Sequence, residues 1–326
     1  MMYQADSARY ENMVYAKCGQ SGLRLPLISL GLWHNFGSCF PIENMKQLIF
    51  TAFDNGITHF DLANNYGPVY GSAETNFGRI LREDLSPYRD ELIITTKAGY
   101  DMWPGPYGNW GSRKYLLASL DQSLKRMHLE YVDLFYSHRY DPETPLEETL
   151  QTLVDIVRQG KALYVGISRW PDEAAKFAYQ YLKERDVSCL CYQGKHNMLV
   201  RDDNAINLAA EHGAGYVGFS PLEQGLLTNK YLNGIPDGSR MFRKEHLTSD
   251  RLTPELLQKI KALNDLAEQR GETLARMALA WVLSNPKVTS VIIGTSSVAQ
   301  MQDNLQVLKS APFSEDELLR INEILK

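Results

Sequence analysis

Short apolar runs alternate along the chain with longer segments whose apolar residues recur every three or four positions. Eight such runs predict strands, at residues 25–30, 57–62, 92–98, 131–136, 162–167, 189–193, 216–220 and 290–293. The segments between them have helical spacing, as in Leu116, Leu120, Leu124 and Met127. Eight consecutive strand–helix units predict an α/β fold, the (β/α)8 TIM barrel. A doubly wound sheet is the alternative, but it usually needs fewer strands.

We expect one barrel domain over residues 13–326, because no linker or internal repeat interrupts the alternation. Residues 1–12 are polar and aperiodic, which predicts a flexible tail. An alternating arm from residue 13 and a turn at 19–22 predict an N-terminal β-hairpin. Two loops are longer than a barrel requires, 99–111 after the third strand and 222 to about 253 after the seventh. Barrels place binding and catalysis in such loops.

The composition excludes several classes of partner. With 326 residues, 44% of them apolar, the chain can bury a sizeable core. A net charge of −5 offers no basic surface to nucleic acid or an acidic membrane. No apolar run approaches the roughly 18 residues of a membrane helix, and the first residues lack a signal-peptide pattern. Cys18, Cys39, Cys189 and Cys191 form no CxxC pair, which predicts reduced thiols in a cytoplasmic protein and no metal site.

Polar residues stand at the ends of three consecutive predicted strands. Asp61 ends the second strand, Lys97 the third and His138 the fourth, while Tyr66 follows Asp61 by five residues. Each has an ordinary interpretation when taken alone, because a lysine is usually solvated, a histidine usually structural, and an aspartate often caps a turn. Strand ends of a barrel converge on one face, so together the four residues predict a catalytic site.

These four side chains suit the donation of a proton to an oxygen that is becoming an alkoxide. A phenol, whose unperturbed pKa is roughly 10, is a poor acid, and a neighbouring ammonium favours its phenolate. A carboxylate keeps that ammonium charged, and an imidazole can hydrogen-bond a carbonyl oxygen. An alkoxide forms when hydride adds to a carbonyl. Amino acids do not deliver hydride, so the set implies a nicotinamide cofactor.

Two glycine-containing stretches are candidates for binding the cofactor's phosphates. The GxGxxG string at 213–218 enters a predicted strand instead of leaving one, so we interpret it as a chance match. Residues 294–297 leave the eighth strand and open a helix, where backbone N–H groups suit a phosphate. An ordinary serine N-cap explains the second stretch equally well.

Longer motifs resemble those of the aldo-keto reductase family along almost the whole chain. They are 166–170 (GISRW), 219–227 (FSPLEQGLL) and 293–304 (IGTSSVAQMQDN), which resemble its cofactor motifs. Asp61, Tyr66, Lys97 and His138 fall on its catalytic tetrad. The most similar branch contains bacterial L-glyceraldehyde 3-phosphate reductases and potassium-channel β subunits.

The resemblance implies a role for each tetrad residue. Tyr66 would be the general acid, Lys97 would tune it, Asp61 would support Lys97, and His138 would orient the carbonyl. The residues implied for the cofactor are Gly31, Leu32, Trp33, Asp61, Ser168, Arg169, Gln193, Phe219, Ser220, Pro221, Leu222, Gln224, Gly225, Leu226, Lys230, Arg240, Gly294, Ser296, Gln300, Asp303 and Asn304. Those implied for the substrate are Trp33, Tyr66, His138 and Trp103.

The implied activity is NADPH-dependent reduction of small aldehydes such as L-glyceraldehyde 3-phosphate or methylglyoxal, by a homo-oligomer of four or more subunits. NADH stays open, because Gly294 and Gln300 stand where many members carry cations for the 2′-phosphate. Arg113, Lys114 and Arg139 are candidates for binding a substrate phosphate. The alternatives are a redox-sensing nicotinamide-binding subunit that docks on a partner protein, and an aldolase-like barrel with Lys97 as a Schiff base.

Overall fold

Eight parallel strands form a closed barrel in the computed structural model, which describes residues 3–237, 239, 241–242 and 247–326. A hairpin of β1 (Tyr15–Lys17) and β2 (Arg24–Pro26) precedes them. The barrel strands are β3 (Ile28–Gly31), β4 (His59–Asp61), β5 (Ile93–Ala98), β6 (Val132–Ser137), β7 (Ala162–Ser168), β8 (Cys189–Lys195), β9 (Gly215–Phe219) and β10 (Ser290–Ile293). Each pairs with the next, and β10 closes on β3. The predicted TIM barrel and N-terminal hairpin are confirmed.

The helices surround this barrel and turn their apolar faces toward it. They are α1 (Ile42–Asp54), α2 (Ser72–Ile80), α3 (Arg113–Met127), α4 (Leu146–Arg158), α5 (Asp172–Lys183), α6 (Asp203–Glu211), α7 (Pro254–Gln269), α8 (Leu274–Leu283), α9 (Val298–Leu305) and α10 (Glu315–Leu325). Shorter turns are a π-helical segment, Leu81–Leu85, and the 3-10 segments Ser86–Glu91, Glu223–Gly225, Asn229–Tyr231, Ser249–Arg251 and Gln306–Lys309. No helix in the described ranges is long and apolar enough to cross a membrane.

The hairpin lies across the amino ends of the barrel strands. Cys18 and Leu25 are fully buried against interior residues of the barrel, among them Leu134 and Leu190. The backbone N–H of Gln20 donates to the carbonyl of Gly213 at 2.8 Å, just before β9 begins. The hairpin therefore closes the end of the barrel opposite to the predicted site.

The predicted first strand, 25–30, is wrong as a single element. The chain changes partners at Leu27, whose N–H donates to the Val14 carbonyl in the hairpin at 2.9 Å. The Leu27 carbonyl accepts instead from Val291 of β10, also at 2.9 Å. An apolar run shows that a segment is buried, but it does not show which sheet each residue joins.

Residues 3–12 lie against the outside of the barrel in the structure. The Tyr3 ring stacks on Phe50 of α1 with centroids 4.0 Å apart, and its hydroxyl donates to Asp54 at 2.5 Å. Arg9 forms an ion pair with Glu91 at 2.6 Å. Isolated side chains make these contacts, so no periodic pattern in the sequence reveals them. The flexible tail over residues 1–12 stays a prediction.

Candidate active site

Lys97 and Asp61 form a buried ion pair on neighbouring strands. The Lys97 Nζ lies 2.6 Å from Asp61 Oδ2, and the side chains are 0% and 3% exposed. The same ammonium donates to the Leu62 carbonyl at 2.6 Å and to the Tyr66 hydroxyl at 3.4 Å. Parallel pairing places Asp61 beside Thr95 of β5, so Lys97 lies one inward-facing position further toward the carboxyl end. The ammonium thus links the predicted carboxylate to the predicted phenol.

The second oxygen of Asp61 is also saturated. Oδ1 accepts from the Thr95 hydroxyl and from the Gln193 side-chain amide, both at 2.9 Å. With Lys97 on Oδ2, the carboxylate has three donors from β5 and β8. This arrangement fixes the carboxylate as an acceptor and leaves it poorly suited to act as a base.

A chain of buried polar side chains extends from Asp61 into the barrel interior. Thr95 Oγ1 lies 3.2 Å from His59 Nε2, and His59 Nδ1 lies 2.8 Å from the hydroxyl of Ser29. Ser29 in turn lies 2.6 Å from the hydroxyl of Ser290. Because Thr95 gives its proton to Asp61, it can only accept from His59, which fixes the proton on Nε2. Each donor in the chain therefore points toward Asp61.

Burial sets the protonation of that histidine and of the lysine. It lowers the pKa of His59 to about 4, against an opposing effect of Asp61, so the imidazole is neutral at neutral pH. Burial likewise lowers the pKa of Lys97, while the Asp61 charge opposes this shift. The carboxylate is thus what keeps the lysine charged in a dry environment.

Tyr66 and His138 face each other above this pair. Their rings are in an edge-to-face arrangement with centroids 6.0 Å apart, and the ring of Tyr100 lies 4.7 Å from His138. Burial lowers the pKa of His138 well below its usual value, and the charges of Lys97, Arg169 and Arg139 add to this effect. Its Nδ1 is buried without a partner in the described structure. His138 is therefore a neutral group with unused hydrogen-bonding capacity.

The pKa of Tyr66 differs from the sequence expectation, in which the neighbouring ammonium acidifies the phenol. Burial raises the pKa of Tyr66 well above its usual value, and the charge of Asp61 raises it further. Lys97 Nζ is 3.4 Å from the hydroxyl, at the long limit of a hydrogen bond. The structure therefore holds Tyr66 as a protonated phenol with its donor poised and an ammonium beside it.

A cleft of about 1010 Å³ opens above these side chains at the carboxyl end of the barrel. It runs from Tyr66 and His138 past the ends of β7, β8 and β9 to the start of α9. Its length and polar lining suit a dinucleotide better than a small metabolite alone. No group of three potential metal-ligating side chains occurs in the described part of the chain.

The comparison with known proteins agrees with this geometry. Residues 27–326 match the model of the Aldo/keto reductase family. The chain belongs to this family. Membership of the family confirms the reductase fold and the nicotinamide-dependent oxidoreductase activity that were expected from the sequence.

Individual relatives of this reductase cover nearly its full length. It is 54% identical to an L-glyceraldehyde 3-phosphate reductase of Escherichia coli (strain K12), over 99% of this chain and 95% of that protein. A probable voltage-gated potassium channel subunit beta of Arabidopsis thaliana is 35% identical over 92% of each chain. A putative subunit of the same kind from Schizosaccharomyces pombe is 34% identical, over 97% of this chain and 94% of that protein. The branch named from the sequence is thereby confirmed.

Most residues that the sequence implied for the cofactor line the cleft of the reductase. They are Gly31, Trp33, Asp61, Ser168, Arg169, Gln193, Phe219, Ser220, Pro221, Leu222, Gln224, Gly225, Lys230, Gly294, Ser296, Gln300, Asp303 and Asn304. Tyr66 and His138, two of the implied substrate residues, line it as well. The structure therefore brings the two sets together in one continuous cleft.

Three implied residues are placed differently, and a fourth lies outside the described residues. Leu32 and Leu226 are fully buried in the hydrophobic core, because their side chains point away from the cleft. Trp103 packs against Tyr115 of α3 with centroids 5.2 Å apart and does not line the cleft. Arg240 lies outside the described residues. The implied substrate contact of Trp103 is therefore not supported by the structure.

The sequence interpretation missed several cleft residues. They include Asn35, Asn65, Tyr100, Lys195, Thr228, Asn229, Thr273, Ala275 and Thr295. Lys195 could have been found, because it lies two residues beyond Gln193 and so on the same strand face. Tyr100 gave no local signal, since only the fold brings the start of the 99–111 loop beside His138.

The cations suggested for a substrate phosphate do not line the cleft. Arg113 forms an ion pair with Asp155 of α4 at 2.5 Å, and Lys114 lies over the ring of Tyr107. Arg139 stacks on the ring of Trp110 at 3.5 Å. Sequence proximity to His138 was misleading here, because these side chains contact Asp155, Tyr107 and Trp110 instead of lining the cleft.

The turn after β9 has the features of a backbone cradle for an anion. Ser220, Glu223, Gln224 and Gly225 all have positive φ angles, of 52°, 43°, 57° and 98°. Three of them are not glycine, so the conformation is strained and held by its surroundings. The buried carboxylate of Glu223 anchors the turn through Lys195 at 2.7 Å.

The structure shows the N-cap interpretation of residues 294–297, and phosphate binding there stays a prediction. Ser297 caps α9 by accepting from the Gln300 N–H at 3.3 Å, as an ordinary N-cap does. The backbone N–H and hydroxyl of Ser296 bind the Gln300 side-chain oxygen at 3.1 and 3.0 Å. These donors face the cleft and would become available to an anion if the Gln300 side chain turned away. Asp303 is paired with Arg276 of α8.

Proposed function

We propose that this reductase converts small aldehydes into primary alcohols with NADPH, and that Tyr66 supplies the proton. One observation carries the proposal: the buried Lys97 ammonium contacts both the Asp61 carboxylate and the Tyr66 hydroxyl at the base of a cleft that also contains His138. This set has a proton donor, a charge that stabilises its conjugate base, and a neutral group for a carbonyl oxygen.

The side chains divide the reaction between them. His138, kept neutral by its surroundings, donates a hydrogen bond that orients the aldehyde oxygen. The bound nicotinamide supplies hydride to the carbonyl carbon when it is present. Tyr66 gives its hydroxyl proton to the oxygen as negative charge develops there, and Lys97 stabilises the phenolate that remains. Asp61 holds Lys97 charged and in place, and Tyr66 regains its proton from solvent after the alcohol leaves.

The cleft residues suit a dinucleotide at three points. We propose that Ser168 and Gln193 bind the carboxamide of the nicotinamide, and that Phe219 stacks on the face of its ring. The pyrophosphate would lie along the strained turn after β9 and near Lys230. The adenosine end would reach Ser296, Gln300 and Asn304, with Arg240 for the 2′-phosphate, so NADPH is the cofactor we propose over NADH.

The substrate proposal draws on the relatives. The protein from Escherichia coli that shares 54% of its residues with this chain is named an L-glyceraldehyde 3-phosphate reductase. We propose the same aldehyde as the substrate here, with methylglyoxal as a second small carbonyl compound. We also propose that the protein acts in the cytoplasm as a homo-oligomer of four or more subunits.

A spectrophotometric screen tests this function. NADPH and NADH are each mixed with the protein and a panel of small aldehydes, and the oxidation of the dinucleotide is followed. We expect turnover with NADPH, and a loss of at least about 100-fold in kcat for Tyr66→Phe, the usual size of a general acid's contribution. NADPH binding, measured by fluorescence titration, should be unchanged in that variant because the phenol touches no predicted phosphate contact.

The second candidate function is a nicotinamide-binding redox sensor that docks on a partner. The likeness to proteins named as potassium channel β subunits favours it. The complete set of Tyr66, Lys97, Asp61 and His138 favours the enzyme, since a sensor needs no proton donor. Tight NADPH binding without turnover on any aldehyde of the panel would support the sensor and refute the reductase.

A further inference from the structure

Asn65 is a cleft residue whose side-chain oxygen has no structural use. It lies between Asp61 and Tyr66 in the chain and lines the cleft together with Tyr66 and His138. Its Oδ1 is shielded from solvent and has no hydrogen-bond partner among the described residues. An unpaired amide oxygen in such a position costs free energy, so it points either to a structural role of the rest of the amide or to a ligand.

Two other asparagines show how a structural amide is used near the cleft. Asn64 is fully buried, and although its Oδ1 is also unpaired, its Nδ2 donates to the Tyr115 hydroxyl at 3.0 Å. Asn35 lines the cleft and donates to the Thr295 carbonyl at 2.6 Å. Within the described residues, no hydrogen bond of this kind holds the Asn65 side chain. Structural anchoring therefore accounts for the first two amides and not for the amide of Asn65.

The backbone fixes Asn65 on the wall of the cleft that carries the proposed acid. The N–H of Asn64 donates to the Lys97 carbonyl of β5 at 2.9 Å, and the N–H of Tyr66 donates to the Ala63 carbonyl at 3.0 Å. The residues on both sides of Asn65 are thus held in place. Because Asn65 and Tyr66 are adjacent in the chain and both line the cleft, a group bound by the amide lies close to the carbonyl that Tyr66 would protonate.

The surroundings of this amide suit a neutral polar group. The aromatic residues Trp33, Tyr66 and Tyr100 line the same end of the cleft. A pocket of aromatic rings with a single placed amide orients a ligand and does not neutralise a charge. A primary amide both donates and accepts, and a half turn of its terminal torsion presents either atom to the cleft. A hydroxyl also donates and accepts, so it is the matching partner.

We propose that Asn65 hydrogen-bonds the hydroxyl on the carbon next to the substrate carbonyl, and thereby selects 2-hydroxyaldehydes. The inference rests on the proposed reductase function and adds a residue that determines specificity. A site built to hydrogen-bond a substrate hydroxyl discriminates against the analogue that lacks it, because the amide is then left unpaired. The 2-hydroxyl is only two bonds from the carbonyl carbon, within reach of a residue adjacent to the proton donor.

The first test compares lactaldehyde with propanal, which differ only in the 2-hydroxyl. For Asn65→Leu, which keeps the approximate size of the side chain but forms no hydrogen bond, the ratio of kcat/KM for lactaldehyde to that for propanal should fall about 10-fold relative to the wild type. An effect of the substitution on Tyr66 itself would change both values alike and cancel in the ratio. The ratio of 3-hydroxypropanal to propanal should stay the same, because its hydroxyl is one carbon further away.

Two further variants make this comparison secure. Asn65→Ala should lower the lactaldehyde ratio in the same way, and it replaces Asn65→Leu if the leucine is not accommodated. Asn207→Ala removes an exposed amide of α6 that does not line the cleft, and it should keep the wild-type ratio. An unchanged ratio in both Asn65 variants would overturn the proposal, and an accompanying loss of NADPH affinity would make Asn65 a cofactor residue instead.

The second test measures binding without turnover. Propane-1,2-diol and propan-1-ol, the alcohols that correspond to the two aldehydes, are titrated into the NADPH-saturated protein and followed by saturation-transfer NMR. A preference for the diol in the wild type that is lost in Asn65→Leu supports the proposal even if no aldehyde is reduced. Equal binding of the two alcohols by the wild type would overturn it. Failure of all aldehydes in the wild type would refute the reductase function separately.

Discussion

The Lys97 ammonium lies 2.6 Å from the Asp61 carboxylate, and both side chains are almost completely buried. Two charges removed from water stabilise each other mainly by cancelling the cost of their own burial. The pair therefore adds little net stability, but each member becomes costly once the other is removed. Its value lies in favouring a charged ammonium beside Tyr66, because the Asp61 charge opposes the lowering of the Lys97 pKa that burial causes.

Replacing one member of the pair should destabilise the protein strongly. We expect Asp61→Asn to cost about 3–5 kcal/mol of unfolding free energy, because it leaves a buried ammonium uncompensated. Lys97→Met should cost a comparable amount. Urea denaturation measures both. The double variant, Asp61→Asn with Lys97→Met, should cost much less than the sum of the two. Additive costs would show that the side chains do not interact.

The raised pKa of Tyr66 predicts how reduction depends on pH. In the proposed mechanism the protonated phenol is the active form, and its pKa lies well above the usual value. The value of kcat/KM for aldehyde reduction should therefore stay flat from about pH 6 to about pH 9, and it should fall only at higher pH. A rate that declines through about pH 7 would instead mean that Lys97 lowers the pKa of the phenol more than burial raises it.

His59 predicts a loss of stability in acid. Its pKa is about 4 in the folded protein, below the roughly 6.5 of the unfolded chain, so the unfolded state takes up the proton first as the pH falls. The stability contribution of the neutral imidazole is present above about pH 6.5 and is lost progressively toward pH 4. Protonation of His59 in the unfolded chain should lower the free energy of unfolding by about 2 kcal/mol between pH 7 and pH 5.

The variant His59→Gln isolates that contribution. Glutamine can still donate to Thr95 but does not titrate, so the difference in unfolding free energy between pH 7 and pH 5 should shrink by about 2 kcal/mol. Urea unfolding at the two pH values provides the measurement. His212→Gln, at an exposed position, is the matched control and should keep the wild-type difference. An unchanged difference in His59→Gln would show that another group controls the acid transition.

Cofactor choice gives a further prediction. If Arg240 holds the 2′-phosphate, Arg240→Ala should weaken NADPH about 10- to 100-fold and NADH less than about twofold. Fluorescence titration with each dinucleotide measures the two affinities. The same loss for NADPH and NADH would exclude Arg240 from the 2′-phosphate site.

The features of this protein that can be predicted from its sequence are those that depend on the local pattern of apolar and polar residues. Runs of apolar residues located seven barrel strands and part of the first, and the residues that end three of them are those that the structure brings together around the Lys97 ammonium. The hydrogen-bonded chain behind Asp61 was not foreseen, because Ser29, His59 and Ser290 come from three separate strands and each is an unremarkable polar residue in its own segment.

Long-range relationships account for the remaining differences. Arg169 and Tyr100 are 69 residues apart in sequence, and only closure of the barrel brings them together. The switch of partners at Leu27 likewise depends on two sheets that the local sequence does not distinguish. The pKa of Tyr66 required the depth of its hydroxyl as well as its charged neighbours, and depth is not a property of a motif.

The hairpin across the amino end of the barrel limits the routes by which a proton reaches Tyr66 in the proposed mechanism. Its residues pack into the interior, and the polar chain that descends from Asp61 ends within hydrogen-bonding distance of the Leu27 carbonyl, which has no proton to give. In the proposed mechanism Tyr66 is therefore reprotonated from the cleft side, through the opening that the aldehyde fills. The alcohol product must then leave before the phenolate regains its proton, so product release precedes restoration of the acid.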